Sequence, residues 1–260
     1  ELPVNNLQLM QRALSRCHRL LVHSIADLNR LKDIGLVDNV ALFPHGVVRT
    51  KNLVPIAKVS TVPLVACYGF CLPHKGILEL IEAIAILKDQ GTEMRLRLIN
   101  AEYPATESSD LVKRVRELIV ELGLSDLVEF NSEYLSDRES LGLLSAADLI
   151  VFPYQQTGES ASGAVRYGLA TGRPVAVTPL SIFDDVSSAV FYLPGIDPAA
   201  LAVGIASTIN ALREEAIEVK VVEASAKHWR DEFDYAAVGQ RLYGICSALL
   251  NQKGIKEVRR

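Results

Sequence analysis

The sequence lacks long apolar runs, and it carries no excess of basic charge. No stretch approaches the roughly 18 consecutive apolar residues of a membrane-spanning helix, and the longest candidate, Leu201 to Leu212, is short and partly polar. The 260 residues include 27 Lys and Arg against 31 Asp and Glu, a formal net charge of −4. Such a chain shows no electrostatic footprint for nucleic acid. We therefore expect no transmembrane segment, no signal peptide and no nucleic-acid partner.

Cysteines are few, and their spacing does not indicate a metal site. Cys17, Cys67, Cys71 and Cys246 form no CxxC pair, and no His lies at metal-ligand spacing from them. Because Cys67 lies in an apolar strand pattern and Cys246 in a helical one, we predict buried free thiols. Reduced cysteines in a chain of this size are typical of a cytoplasmic protein.

Several common catalytic and nucleotide-binding motifs are also absent. The sequence contains no GxGxxG, no GxxxxGK[ST], no GxSxG and no HExxH, and it shows no obvious pair of catalytic carboxylates. These absences argue against a dinucleotide-dependent enzyme, a P-loop nucleotidase, a serine hydrolase of the common type and a zinc protease. His45 and His74 lie where predicted strands end, and we expect both to be ordinary loop histidines.

What the sequence does contain is a regular alternation of short apolar runs with longer segments of helical period. Predicted strands include 62–69, 94–99 and 149–153, and a predicted helix follows each of them. Near-continuous apolar strands joined by helices indicate a parallel sheet that is covered on both faces. The predicted fold class is therefore α/β, doubly wound. Ligands of such sheets bind beyond the carboxyl ends of the strands.

Lys75 lies at one of these strand ends. It follows the predicted strand 62–69, and a predicted helix begins directly after it at Gly76. A cation beside a helix N-terminus is electrostatically unfavourable, because that end already carries partial positive charge. The arrangement makes sense if an anion such as phosphate lies between them. The alternative, which position alone leaves open, is a solvated surface lysine.

The stretch TGESASGAV, residues 157–165, places one carboxylate, Glu159, among small residues where another helix begins. Ser160 or Ser162 can cap that helix, and the alternative is an ordinary N-cap with Glu159 near the helix dipole. The backbone N–H groups near Gly163 and Ala164 are not obstructed by large side chains and are suited to phosphate.

The two sites complement each other if they face one crevice. Lys75 and the helix N-terminus would then neutralise a diphosphate, and Glu159 would accept hydrogen bonds from hydroxyl groups on the same ligand. A diphosphate with hydroxyl groups describes a nucleotide sugar, while simpler phosphate ligands remain open.

An ordered set of motifs resembles the family-4 retaining glycosyltransferases, which have the GT-B architecture of two facing Rossmann-like domains. The matching segments are RLLVHSIADLNRLKDIGLVDNVALFPHGV, YGFCLPHKGILELIEAIAIL, VEFNSEYLSDRESLGLLSAADLIVFPY, GESASGAVRYGLATGRPV and HWRDEFDYAAVGQRLYGIC. They cover nearly the whole chain. The resemblance implies that residues 1–46 are the end of the N-terminal acceptor domain and a linker, that 47–232 form a Rossmann-like donor-binding domain, and that 233–260 are a C-terminal helix and tail.

The resemblance also implies roles for individual residues. Lys75 would bind the donor diphosphate and Glu159 the hydroxyls of the donor sugar, and both would act in catalysis. The remaining implied donor-binding positions are Ser160, Ser162, Gly163, Ala164, Tyr167 and Asn100.

Three positions depart from the family pattern. Phe70 stands where the family commonly has an Arg, so half of its usual cationic clamp is missing. Tyr167 stands where a ribose-binding Glu would be expected, and we predict only that it faces the ribose. A glycine usually found near Asn100 is absent.

The activity that the resemblance implies is the retaining transfer of a hexose such as mannose from a nucleotide sugar, with GDP-mannose as the expected donor. The acceptor would be a growing glycan or a lipid-linked molecule at the inner face of the cytoplasmic membrane. No metal and no cofactor is expected, because Lys75 and the helix ends would stabilise the charge on the leaving phosphate. Most of the acceptor domain is missing, so we expect this chain alone to bind donor without transferring sugar. The alternatives are a non-catalytic GT-B module that acts as a scaffold and, less favoured, a sugar-nucleotide epimerase.

Overall fold

A computed structural model describes residues 4–49 and 61–252 of the chain. Its helices are α1 (Val4–Leu14), α2 (Ile25–Asp33), α3 (Ile77–Asp89), α4 (Thr106–Glu121), α5 (Asp137–Ser145), α6 (Gly163–Ala170), α7 (Pro198–Arg213), α8 (Ile217–Glu232) and α9 (Tyr235–Gln252). Its strands are β1 (Leu20–Val22), β2 (Val40–Leu42), β3 (Leu64–Phe70), β4 (Arg95–Ala101), β5 (Val128–Asn131), β6 (Leu149–Phe152), β7 (Val175–Val177) and β8 (Phe191–Tyr192). Two 3₁₀ segments span Pro73–Lys75 and Ser181–Ala189.

Six of the strands form one parallel sheet in the order β5-β4-β3-β6-β7-β8. The register pairs Leu64 with Arg95 and continues to Phe70 opposite Ala101, so β3 and β4 end at the same edge. All four residues of β6 are buried, as expected for a strand covered on both faces. The strand order reverses between β3 and β6, and ligands bind at such a reversal in open α/β sheets.

A separate core lies on each face of the sheet. One core joins apolar side chains of α3, α4 and α7 to the sheet. The other joins side chains of α5, α6, α8 and the second 3₁₀ segment. Helices therefore cover both faces, which confirms the prediction of a doubly wound α/β fold.

The N-terminal residues form a small unit of their own. Strands β1 and β2 pair in parallel as a two-stranded sheet. This unit joins the large sheet's domain where the backbone N–H of Val47 donates to Phe233 O at 2.8 Å, and the N–H of Tyr235 donates to Val47 O at 3.1 Å. Nothing in the structure tests the division of the chain at residues 46 and 232, which stays a prediction.

The prediction of buried thiols is wrong for two of the four cysteines. Cys67 and Cys71 are buried, whereas Cys17 and Cys246 are exposed. Cys246 belongs to α9, and no side chain of α9 between Tyr235 and Asn251 is buried. Helical periodicity shows that a helix has an apolar side, but the burial of that side depends on a partner element.

The segment from Leu201 to Leu212 belongs to α7, which packs on α3 in the first core. Within the two described ranges, no helix combines the length and the hydropathy that a membrane span requires.

Candidate functional site

A cavity of about 410 Å³ opens at the carboxyl ends of the central strands. Phe70 at the end of β3, Ala101 at the end of β4 and Tyr154 just after β6 all line it. We call it the strand-end cavity. Glu159 and Lys75 line it too, so the structure brings together the two charged residues that the sequence placed at separate strand ends.

Lys75 is positioned by a 3₁₀ turn that lies against the end of β6. Gly76 closes this turn with φ of 69°, a left-handed conformation that favours glycine. A Cβ atom at Gly76 would lie 1.8 Å from Pro153 O, so no other residue fits without moving the backbone. The close approach leaves Lys75 only 9% exposed, and the alternative of a solvated surface lysine is not what the structure shows.

A cluster of charged side chains fills the mouth of the cavity. Lys75 Nζ donates to Glu159 Oε2 at 2.8 Å, and His74 Nε2 lies 3.1 Å from Glu159 Oε1. Burial lowers the pKa of Lys75, and the neighbouring Glu159 carboxylate opposes that shift. Burial alone would raise the pKa of Glu159, but the hydrogen bonds and charges of Lys75 and His74 outweigh it and lower this pKa. The lowered pKa of Glu159 thus favours its charged carboxylate form beside Lys75.

Tyr154 forms the base of this cluster. Lys75 Nζ lies 4.1 Å from the centroid of the Tyr154 ring, a distance at which the ring attracts a cation. The Tyr154 hydroxyl lies 2.9 Å from Ser162 Oγ, and burial raises the pKa of Tyr154. Tyr154 therefore stays neutral and connects the buried lysine to the start of α6.

The start of α6 faces the cavity through its backbone. Ser162 caps the helix by accepting a hydrogen bond from Val165 N at 3.3 Å, and it is 1% exposed. Its hydroxyl is thus committed to the cap and to Tyr154. Gly163 and Ala164, the first two residues of α6, line the cavity. Ser160 does not cap α6; it is exposed and lines a neighbouring cleft.

The carbonyl of the capping residue is itself held by a buried ion pair. Arg166 donates to Ser162 O and to Asp185, and the Trp229 Nε1–H donates to Asp185 O at 3.1 Å. Burial lowers the pKa of Arg166 and raises that of Asp185, while each charge opposes the shift of the other. This network ties the start of α6 to α8.

Tyr167 lines the strand-end cavity, and its hydroxyl donates to Asp137 Oδ1 at 2.8 Å. Its ring packs on Tyr68 with centroids 4.8 Å apart, and burial raises its pKa.

Asn100 does not reach the cavity. It is 1% exposed, and its Nδ2 lies 3.8 Å from Cys67 Sγ. Its Oδ1 has no hydrogen-bond partner within the described part of the chain. Asn100 therefore does not line the strand-end cavity, unlike Lys75, Glu159 and Tyr167.

The two loop histidines differ in their surroundings. His74 contacts Glu159, as described above, although its sequence position gave no reason to expect this. His45 stacks on His23 with ring centroids 3.6 Å apart. Burial, together with the charges of His23 and Arg166, lowers the pKa of His45 to about 4, so it is neutral at pH 7.

Comparison with known proteins decides the family. A model described as glycosyl transferases group 1 matches residues 62–211, more than half of the 260-residue chain. This chain belongs to that family. No curated protein sequence matches it.

Solved structures of glycosyltransferases share the fold of this group 1 domain. A glycosyltransferase from Rickettsia africae is 17% identical, with a TM-score of 0.76 over 96% of this chain and 68% of that one. The Anabaena protein HepE in complex with UDP is 18% identical, with a TM-score of 0.76 over 95% and 69%. Sucrose-phosphate synthase from Thermosynechococcus elongatus is 20% identical, with a TM-score of 0.73 over 96% and 63%. The fold is that of the GT-B glycosyltransferases, and the chain spans about two thirds of such proteins.

Sequence reasoning missed most of the rings around the cavity of this glycosyltransferase domain. The cavity is lined by the rings of Tyr68, Tyr134, Tyr154 and Phe70. Phe70 stood out in the sequence only because the family commonly has an Arg at that position. Each ring lies at or just after a strand end, so the rule that located Lys75 could have located them. No group of three or more His, Cys, Asp or Glu side chains in the described ranges could hold a metal ion.

Proposed function

We propose that this chain is the donor-binding half of a retaining glycosyltransferase that uses a nucleotide sugar. The observation that carries the proposal is the ion pair of Lys75 and Glu159 in a strand-end cavity that the start of α6 also faces. The family match supports a glycosyltransferase, and the geometry supports a ligand with both phosphate and hydroxyl groups.

The buried ammonium of Lys75 is suited to the donor diphosphate. Its charge is held in a low-dielectric setting, where its attraction for an anion is stronger than in water. The free N–H groups at Gly163 and Ala164 add the partial positive charge of a helix N-terminus. These groups are fixed in place before the ligand arrives, so little reorganisation opposes charge development on the leaving phosphate.

In this proposal Glu159 accepts hydrogen bonds from the hydroxyl groups of the donor sugar. As the diphosphate engages Lys75, the Glu159 carboxylate loses its main partner and becomes free to accept hydrogen bonds from the sugar. In the reaction the bond between the anomeric carbon and the phosphate oxygen breaks, and its electrons stay on the phosphate. An acceptor hydroxyl attacks the same face of the sugar and gives its proton to that phosphate, which accounts for retention.

The identity of the donor is the least constrained part of the proposal. Complexes of the Anabaena protein with UDP and with UDP-glucose support a nucleotide-sugar ligand. We therefore propose to test UDP and UDP-glucose together with GDP-mannose, the donor expected from the sequence. The proposed acceptor is a glycan or lipid-linked molecule, bound mainly by an N-terminal domain of which residues 1–46 are the end. With most of that domain missing, the chain alone binds donor without transferring sugar.

A second candidate is a GT-B domain that binds or scaffolds without catalysis. The observation in its favour is that Phe70 and Tyr167 line the cavity at positions where the family resemblance implies an Arg and a Glu.

Ligand binding to the 260-residue chain provides the first test. Isothermal titration calorimetry with UDP, GDP and their hexose conjugates should detect at least one ligand. Lys75→Ala should weaken its binding by about 10- to 100-fold, the value of a hydrogen bond to a charged group. The matched control is Lys88→Ala in the last turn of α3, where Nζ donates to Gly123 O at 2.8 Å. Equal effects of the two changes would contradict the site.

Transfer by a protein that includes the N-terminal domain separates the two candidates. Glu159→Ala should reduce the rate of sugar transfer while the variant still binds the nucleoside diphosphate. Wild-type protein that binds donor but shows no transfer to any glycan or lipid-linked acceptor would favour the scaffold.

A further inference from the structure

Three exposed aromatic rings lie together at one end of the strand-end cavity, and the roles proposed above use none of them. Phe70 ends β3, Tyr103 follows β4 and Tyr134 follows β5. They are 37%, 42% and 78% exposed. A group of large apolar side chains that stays exposed to solvent usually indicates a binding surface. Because Phe70 and Tyr134 line the cavity, a ligand in the cavity can contact both rings.

The rings of Phe70 and Tyr134 are nearly parallel. Their centroids are 6.4 Å apart and their planes differ by 23°. Carbon atoms in contact prefer a separation of about 3.5–4 Å, so a flat ring between two others needs about 7–8 Å. Because the Tyr134 side chain is exposed, it can move within nanoseconds to bring the two rings to that spacing.

Tyr103 holds the less exposed of the two rings in place. It meets Phe70 edge to face, with centroids 5.1 Å apart and an interplanar angle of 75°, a favourable arrangement for an aromatic pair. One wall of the gap is thus fixed by packing, while the other is free to adjust.

The order of the strands separates Tyr134 from the charged end of the cavity. Tyr134 follows β5, Phe70 ends β3, and Tyr154, beneath Lys75, follows β6 in the strand order β5-β4-β3-β6. Neighbouring strands are about 4.8 Å apart, so the cavity extends for roughly 10–15 Å across their ends. A nucleoside diphosphate is an elongated ligand of this kind, with a flat ring at one end and its charge at the other.

Resting on the nucleotide-sugar function proposed above, we propose that Phe70 and Tyr134 form a clamp that holds the nucleobase of the donor. The base inserts between the two rings while its diphosphate reaches Lys75. Every base has a π face on which an aromatic ring can stack. The clamp therefore supplies affinity for a nucleobase, and other groups must choose between uracil and guanine.

Calorimetry with UDP, GDP and inorganic pyrophosphate tests the clamp, because pyrophosphate has the charge and lacks the ring. Phe70→Leu and Tyr134→Leu should each weaken binding of the nucleotide by about 5- to 100-fold, as expected for the loss of one stacking partner. Neither change should alter pyrophosphate binding more than about twofold. Tyr134→Phe keeps the ring and should bind like the wild type. The control is Tyr192→Leu, a ring 45% exposed at the end of β8 on the opposite edge of the sheet.

Each contrary outcome has a distinct meaning. The clamp is wrong if the leucine variants bind the nucleotide as tightly as the wild type does. It is also wrong if their affinity for pyrophosphate falls as much as their affinity for the nucleotide. In either case the Lys75 variant still tests the proposed function. A loss seen with UDP-glucose and not with UDP would place the sugar between the rings and would also overturn the clamp. A wild-type chain that binds no nucleoside diphosphate overturns both proposals. Saturation-transfer NMR adds an independent measurement, in which the base protons should receive more saturation from the protein than the ribose protons do.

Discussion

Lys75 Nζ and Glu159 Oε2 lie 2.8 Å apart, although 84 positions separate the two residues in the chain. The pair joins the turn after β3 to the loop after β6, on either side of the point where the strand order reverses. Because the carboxylate occupies the Nζ group of Lys75, the diphosphate of the proposed donor would compete with Glu159.

This competition predicts different effects of Glu159→Gln on two ligands. Affinity for the free nucleoside diphosphate should rise by about 2- to 5-fold, the modest value of a partly exposed ion pair, since Glu159 is 43% exposed. Affinity for the sugar-linked nucleotide should rise less, because the neutral amide oxygen of Gln accepts a weaker hydrogen bond from a sugar hydroxyl than the carboxylate does. Calorimetry with both ligands measures the ratio. Glu133→Gln, which changes another carboxylate lining the cavity, should leave the ratio unchanged.

Gly76→Ala should destabilise the protein by at least about 2 kcal/mol, because an L-residue is strained at positive φ and the new Cβ would collide with Pro153 O. Urea unfolding followed by circular dichroism gives the change. Gly91→Ala is the matched control, since Gly91 has a similar φ of 75° but nothing within 4 Å of the added Cβ. If the free energy of unfolding falls by the same amount in both variants, backbone strain alone explains the loss. The added Cβ at position 76 then does not collide with Pro153 O.

Removing one partner of the Arg166–Asp185 ion pair should strongly lower the free energy of unfolding. Arg166 is 4% exposed and Asp185 10%, so Asp185→Ala leaves a buried guanidinium without its carboxylate and should cost about 3–5 kcal/mol. Removing both charges with Arg166→Met and Asp185→Leu together should restore part of this loss. Chemical denaturation of the wild type, Arg166→Met, Asp185→Leu and the double variant forms a double-mutant cycle. A double variant less stable than Asp185→Ala would contradict the prediction.

Stability should depend on pH through Glu129, which bridges two arginines on the neighbouring strand. Its carboxylate lies 2.6 Å from Arg95 and 2.7 Å from Arg97. Burial alone would raise its pKa, but the two arginines outweigh burial and lower it. The stabilisation is therefore fully present above the ordinary pKa of Glu, about 4.3, and is lost as pH falls through the lowered pKa.

Comparison of Glu129→Gln with the wild type measures this contribution. Because Glu129 is 50% exposed, the difference in unfolding free energy at pH 7 should be only about 0.5 kcal/mol, and it should disappear once the pH has fallen below the lowered pKa of Glu129. Glu93→Gln, in the exposed stretch before β4, serves as the control at each pH. A difference that grows on acidification would show that the sign is wrong.

The sheet and its helices were predictable because local signals agreed with the final fold. Helix α5 begins at a signal that the sequence itself carries, a capping box of Ser136 and Glu139. The apolar run predicted as a strand at 149–153 is β6. In such segments, periodicity and end signals are properties of a few neighbouring residues, so no knowledge of tertiary contacts was needed.

The contacts within the site could not be read in the same way. The sequence located Lys75 and Glu159 separately, and it gave no sign that Glu159 would lie on Lys75 or that His74 would join them. Such contacts depend on the order of strands in the sheet, which short-range patterns do not encode. The 3₁₀ segment Ser181–Ala189, which supplies Asp185 to the buried network, was missed for a simpler reason: it has neither the period of an α-helix nor that of a strand.

The paired backbone at Val47 and Asp234 has a practical consequence for protein engineering. The predicted boundaries of the large domain lie next to these two positions, which are side by side and share a bridge, and Arg49 Nη2 lies 2.6 Å from Asp234 Oδ2. A unit whose two ends meet can be transplanted as an insert, since its ends match the small gap of a surface loop in a host protein. The stretch between these positions, which carries the whole six-stranded sheet, is thus a candidate cassette for building ligand-responsive fusions.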